Sequence, residues 1–72
     1  MEITLYSLPN CSICNMIKKK LEEKHISYIE KDFSEIADII KSDHAPALEI
    51  YDAFNETTII TSPTRMAQWI NS

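Results

Sequence analysis

The sequence predicts a single layered α/β domain of four strands and three helices in the order β-α-β-α-β-β-α. Three observations lead there. A strand-like stretch, an amphipathic helix and a second strand-like stretch follow one another at the chain start, which is the pattern of a parallel βαβ unit. Near the other end, two short β-branched segments flank a polar loop of hairpin length. At 72 residues, with 44% of positions hydrophobic, the chain has room for one core and shows no repeat, linker or low-complexity tract.

Each element has its own signal. Residues 2–6 (Glu2, Ile3, Thr4, Leu5, Tyr6) alternate polar and apolar and read as the first strand, ended by Ser7, Leu8, Pro9 and Asn10. From Ser12 to Lys24, Ile13, Met16, Ile17 and Leu21 recur at spacings of three and four, so this is a helix, with Asn10 or Cys11 as its cap. Ile26, Tyr28 and Ile29 open a second strand that runs to Lys31 after a turn at Lys24 and His25. Phe33, Ile36, Ala37 and Ile40 then mark a short helix over 34–41, capped near Asp32 and Ser34 and released by Ser42, Asp43 and His44. Residues 47–51 and 57–61 are the hairpin strands, with Asp52, Ala53, Phe54, Asn55 and Glu56 between them. Ser62 and Pro63 start the last helix, since Ser caps well and Pro is favoured at the first helical position. Met66, Trp69 and Ile70 are its core residues.

Composition excludes several classes of function. The net charge is −4 and Arg65 is the one arginine, so the chain lacks the basic surface on which nucleic-acid affinity rests. No apolar run approaches the roughly 20 residues of a membrane span, and residues 1–10 lack a basic stretch followed by an apolar one. The expectation is a cytoplasmic monomer with neither nucleic-acid nor membrane partners. Glycine is absent, so phosphate loops and dinucleotide fingerprints are excluded, and turns are expected to use Asn, Asp, Ser or Pro.

The chemistry concentrates in Cys11-Ser12-Ile13-Cys14, set between the first strand and the first helix. A zinc site needs four ligands, and the remaining soft ligands, His25 and His44, lie nineteen positions apart, so no metal site is expected. Redox chemistry suits the position better. Thiolate is the reactive form of cysteine, and the unpaired N–H groups and dipole of a helix start stabilise it at Cys11. Cys14, one turn further in, is near enough to close a disulfide and is placed to resolve a mixed disulfide formed at Cys11. Lys18, Lys19, Lys20 and Lys24 read as a solvated face with Glu22 and Glu23, the alternative being that Lys18, one turn beyond Cys14, adds positive potential at the site.

Tyr6-Ser7-Leu8-Pro9-Asn10-Cys11-Ser12-Ile13-Cys14, the lysine-rich helix behind it and Ala45-Pro46-Ala47 before a strand together resemble the glutaredoxins and the related NrdH-type redoxins. The resemblance implies a minimal thioredoxin fold with a four-stranded mixed sheet and three helices, and thiol–disulfide exchange that needs no metal or organic cofactor. It implies glutathione as co-substrate and disulfide-bearing proteins as partners. It also maps the family's cis-proline onto Pro46, with the Ala45 backbone turned toward an extended thiol substrate. Tyr6 falls where relatives carry an aromatic residue beside the thiols. Two departures bear on the donor. Leu8 stands where glutaredoxins commonly carry a basic residue, and Thr61-Ser62-Pro63-Thr64-Arg65 replaces their Gly-Gly segment, leaving Ser62, Thr64, Arg65 and a helix N-terminus to hold a carboxylate. Two alternatives remain open. One is an NrdH-type redoxin reduced by thioredoxin reductase and serving ribonucleotide reductase; the other is a cluster-binding glutaredoxin, to which Ser12 in place of proline points.

Overall fold

The computed structural model describes residues 1–54 and 56–72; Asn55 of the expected hairpin loop lies outside the described residues. Its elements are β1 (Glu2–Ser7), α1 (Ser12–Glu23), β2 (Ile29–Asp32), α2 (Ser34–Ile40), β3 (Ala47–Tyr51), β4 (Thr57–Ile60) and α3 (Pro63–Asn71). The sheet runs β2-β1-β3-β4, with β1 parallel to β2 and antiparallel to β3, and β3 antiparallel to β4. This is the four-stranded mixed sheet with three helices that the sequence predicts.

Alternation on the central strands divides the core in two. Ile3 and Leu5 of β1 and Leu48 and Ile50 of β3 meet Ile17 and Leu21 of α1 and Met66 and Ile70 of α3. Tyr6 and Ala47 emerge on the opposite face and pack with Phe33 and with Ile36 of α2. Trp69, expected in the core, is partly buried at the margin of the larger cluster.

The second strand begins at Ile29, three residues later than the hydrophobic pattern predicts. Ile26 and Tyr28 do cover the larger cluster, so their apolar character is spent on packing ahead of the ladder. The Ile26 N–H instead donates to Leu21 O at 2.9 Å, closing the end of α1. The four residues of β2 itself are exposed, as befits an edge strand.

Chain reversals without glycine use more residue types than expected. Asn10, His25 and Lys41 all sit in the left-handed region, with φ of 60°, 57° and 54°. Asn and His tolerate that region comparatively well, whereas Lys41 carries a Cβ penalty at the end of α2. Asp52 organises the hairpin as a side-chain acceptor, its Oδ1 receiving the N–H of Phe54 at 2.8 Å and of Glu56 at 3.1 Å. Ser62 caps α3 by accepting the Arg65 N–H at 3.4 Å, with Pro63 opening the helix behind it.

Candidate active site

The register gathers the candidate residues at one end of the sheet. Tyr6 of β1 lies opposite Ala47 of β3, so Ser7 and the loop to Cys11 leave the sheet beside Pro46. Leu48 lies opposite Ile60 of β4, which brings Thr61 and Ser62 to the same end. The start of α1, the start of β3 and the start of α3 are thereby neighbours, although 51 positions separate Cys11 from Ser62.

Cys11 and Cys14 form a disulfide across the first turn of α1, with their Cα atoms 5.2 Å apart. Of the two expected caps, Cys11 is the one used: its Sγ accepts the Cys14 N–H at 3.1 Å, while Asn10 turns the chain into the helix through its positive φ. Their environments differ. Cys14 is fully buried, whereas Cys11 is partly accessible and flanked by exposed Leu8, Ile13 and Met16. The Ala45–Pro46 bond is cis, and the Pro46 ring is buried.

The other candidates are placed more loosely. Thr64 and Arg65 are exposed on the first turn of α3, next to Ser62, and Arg65 and Ser62 line one cavity with Thr58, Ile59, Ile60 and Thr61. Tyr6 lies under α2, with Ala45 and Ala47 in the same cluster, and its hydroxyl donates to Glu49 Oε1 at 3.5 Å. Burial, with Glu49 and Glu35 adding to it, holds the Tyr6 phenol above its usual pKa, so it stays protonated at neutral pH. His44 is exposed at 3.3 Å from Asp43 Oδ1, and His25 occupies the turn after α1. Among the described residues, no three His, Cys, Asp or Glu side chains group closely enough to hold a metal ion.

One constellation escaped the sequence. Lys18 is not part of a solvated face: its Nζ lies 2.7 Å from Glu30 Oε2, and 25% of its side chain is exposed. The same carboxylate oxygen accepts the Ser7 hydroxyl at 2.7 Å. These three residues, with Leu8, Pro9, Lys31 and Asp32, line a groove of about 370 Å³ beside the cysteine loop. The lone available signal was Lys18 at four positions from Cys14; Glu30 and Ser7 become its neighbours through the β1–β2 pairing alone.

Glu30 titrates below the usual carboxylate range, chiefly through its hydrogen bond with Lys18 and then that with Ser7. A carboxylate whose folded pKa lies below its unfolded value stabilises the fold above the unfolded pKa and loses that contribution as pH falls through the folded one. Glu30 is 44% exposed, so solvent screens the pair and its contribution is at most about 1 kcal/mol. Glu30→Gln is therefore expected to lower the urea midpoint slightly at pH 7, with the difference from the parent shrinking below about pH 4.5. A difference that grows on acidification would contradict this account.

The family model for glutaredoxins matches residues 3–58, more than half of the chain. The chain belongs to the glutaredoxin family. No curated protein matches the sequence. Among solved structures it is similar to TDR1 of Leishmania, a trimeric glutathione transferase, with a TM-score of 0.76 and 20% identity over 96% of this chain and 17% of that one. The chain thus spans a small part of that protein, and at this identity the likeness establishes the thioredoxin fold alone. The glutaredoxin match contains Cys11, Cys14 and Pro46 and stops before Ser62. A Cys-x-x-Cys pair on this scaffold fits a thiol redox function. No helix among the described residues is long and apolar enough to cross a membrane.

Proposed function

We propose that this glutaredoxin is a small dithiol oxidoreductase that reduces disulfides by exchange. The observation that carries the reading is the unequal placement of the two cysteines, Cys11 at the cap and partly accessible, Cys14 buried one turn inside. In the reduced protein the Cys11 thiolate attacks a substrate disulfide, releasing one sulfur as a thiol and forming a mixed disulfide. Cys14 then attacks Cys11 Sγ, the second substrate thiol leaves, and the Cys11–Cys14 bond forms. An external thiol donor restores the dithiol. The cycle moves two electrons and requires no metal or organic cofactor. It suits a monomer in a reducing compartment such as the cytoplasm, where cysteine pairs of this kind act transiently.

Glutathione is the proposed donor, bound weakly. In support, the N-terminal turn of α3 offers N–H groups, Ser62, Thr64 and Arg65 to a carboxylate, while Leu8 supplies no charge to a second one. The Ala45 backbone, beside Pro46, is proposed to pair with the extended substrate, and Tyr6 to support that segment from beneath. Activity with glutathione and its reductase is expected to show a high KM. Arg65→Ala should raise that KM about tenfold or more, since a charge-assisted hydrogen bond contributes about 1.5–3 kcal/mol. An unchanged KM would reduce Arg65 to a surface charge.

The second reading is the NrdH-type redoxin, to which the weak case for glutathione at Leu8 and at the start of α3 points, with Ser62 and Arg65 a faint echo of that group's sequence there. Efficient reduction by thioredoxin reductase, with millimolar glutathione failing, would establish it, and ribonucleotide reductase would then be the partner to test. A coloured, dimeric preparation would instead indicate a cluster carrier.

A further inference from the structure

Lys18 follows Cys14 by four positions on α1, so the two share a helix face with Cβ atoms about 5–6 Å apart. Helical side chains lean toward the helix N-terminus, which carries the Lys18 stem back over the turn that holds Cys14. Its ammonium is held on the β2 side of the helix. Glu30 holds it from β2, and Ser7, the last residue of β1, holds Glu30 through the same oxygen.

Cys14 has a need that a neighbouring positive charge would meet. To attack a mixed disulfide it must be a thiolate, yet full burial disfavours its charged form. The N–H of Cys14 is directed at Cys11 Sγ, so the donor nearest to hand serves the first cysteine. Other charges around the site are poorly disposed. Lys31 and Asp32 of β2 line the same groove as Lys18 but are exposed, with Asp32 bonded to the Ser34 N–H at 2.8 Å. Arg65, the charged residue of α3, lines a different cavity. Glu49 of β3 faces Tyr6 across the sheet.

We infer that Lys18 is the electrostatic partner of the Cys14 thiolate during resolution of the mixed disulfide, with Glu30 competing for its ammonium. The inference rests on the exchange cycle proposed above. In this step the Cys14 thiol gives its proton to water, and its sulfur attacks Cys11 Sγ. The Cys11–Cys14 bond forms as the bond from Cys11 to the substrate sulfur breaks. That sulfur leaves with the bonding pair and takes a proton from water. Lys18 transfers no proton in this step, and Glu30 competes with the thiolate for it, so the two ends of the bridge have opposite effects on Cys14.

That opposition makes the test selective. In the full chain carrying Cys11→Ser, Cys14 is the sole thiol, and its ionisation is followed by the 13Cβ shift against pH. Lys18→Met is expected to raise the midpoint by roughly half a unit to one unit, about a three- to tenfold loss of thiolate near neutrality. Glu30→Gln should lower it, and Lys18→Arg should leave it close to the parent value. A midpoint unmoved by Lys18→Met overturns the inference. So does an equal rise in both Lys18→Met and Glu30→Gln, which would mark the bridge as a structural tie between α1 and β2. Should Lys18→Met fail to fold, Lys18→Gln replaces it with the same outcomes. Because the titration needs no substrate, a chain that shows the shift but exchanges no disulfide would refute the proposed function and leave the coupling intact.

Discussion

Cys11→Ser is expected to abolish disulfide reduction entirely, while Cys14→Ser leaves a mixed disulfide that can be trapped on Cys11. The reason is geometric. Cys11 Sγ sits at the start of α1, where it accepts an N–H and faces the positive end of the helix dipole, so its reduced form should ionise below the free-thiol value of about 8.5. Cys14, fully buried, reaches Cys11 Sγ but is shielded from bulk reagents. In the reduced protein, mass spectrometry after a limiting pulse of iodoacetamide should find the label on Cys11 first. Faster labelling of Cys14 would reverse the two roles and, with them, the direction of the cycle.

Leu48→Ala is expected to have the largest effect on stability. Leu48 lies on the central strand β3, directly opposite Leu5 of β1, and neither side chain is exposed. Truncating such a leucine removes apolar burial and leaves a cavity, at about 2–5 kcal/mol. A domain of this size has only about 4–11 kcal/mol in total, and each kcal/mol corresponds to about 4–8 °C in Tm. The variant should therefore melt at least ~8 °C lower, or be unfolded at room temperature. Ile39→Ala is the control: its side chain is 75% exposed, so it should shift stability by no more than about 0.5 kcal/mol. Comparable losses from both would contradict the burial of Leu48 and the exposure of Ile39.

Much of this protein was determined locally. Alternation at Ile3 and Leu5, the three-and-four spacing of Ile13, Met16, Ile17 and Leu21, and the Ser62-Pro63 start of α3 each act through neighbouring backbone, so the order of the elements follows from the sequence alone. The position of Cys11 and Cys14 at a helix start is local in the same sense. Tertiary structure decided what sequence distance hides. Ile26 and Tyr28 are apolar because they cover the larger cluster, and no local pattern separates that use from strand pairing, so β2 begins later than its hydrophobicity predicts. The left-handed turns at His25 and Lys41 are imposed by the directions of the elements that follow, against the preference of a lysine in particular. The Lys18–Glu30–Ser7 bridge exists because parallel pairing sets β2 beside the end of β1 under α1, bringing together charges 12 positions apart and a hydroxyl 23 positions from its acceptor. Electrostatic contacts depend on distance in space, and the strand register is what converts one kind of distance into the other.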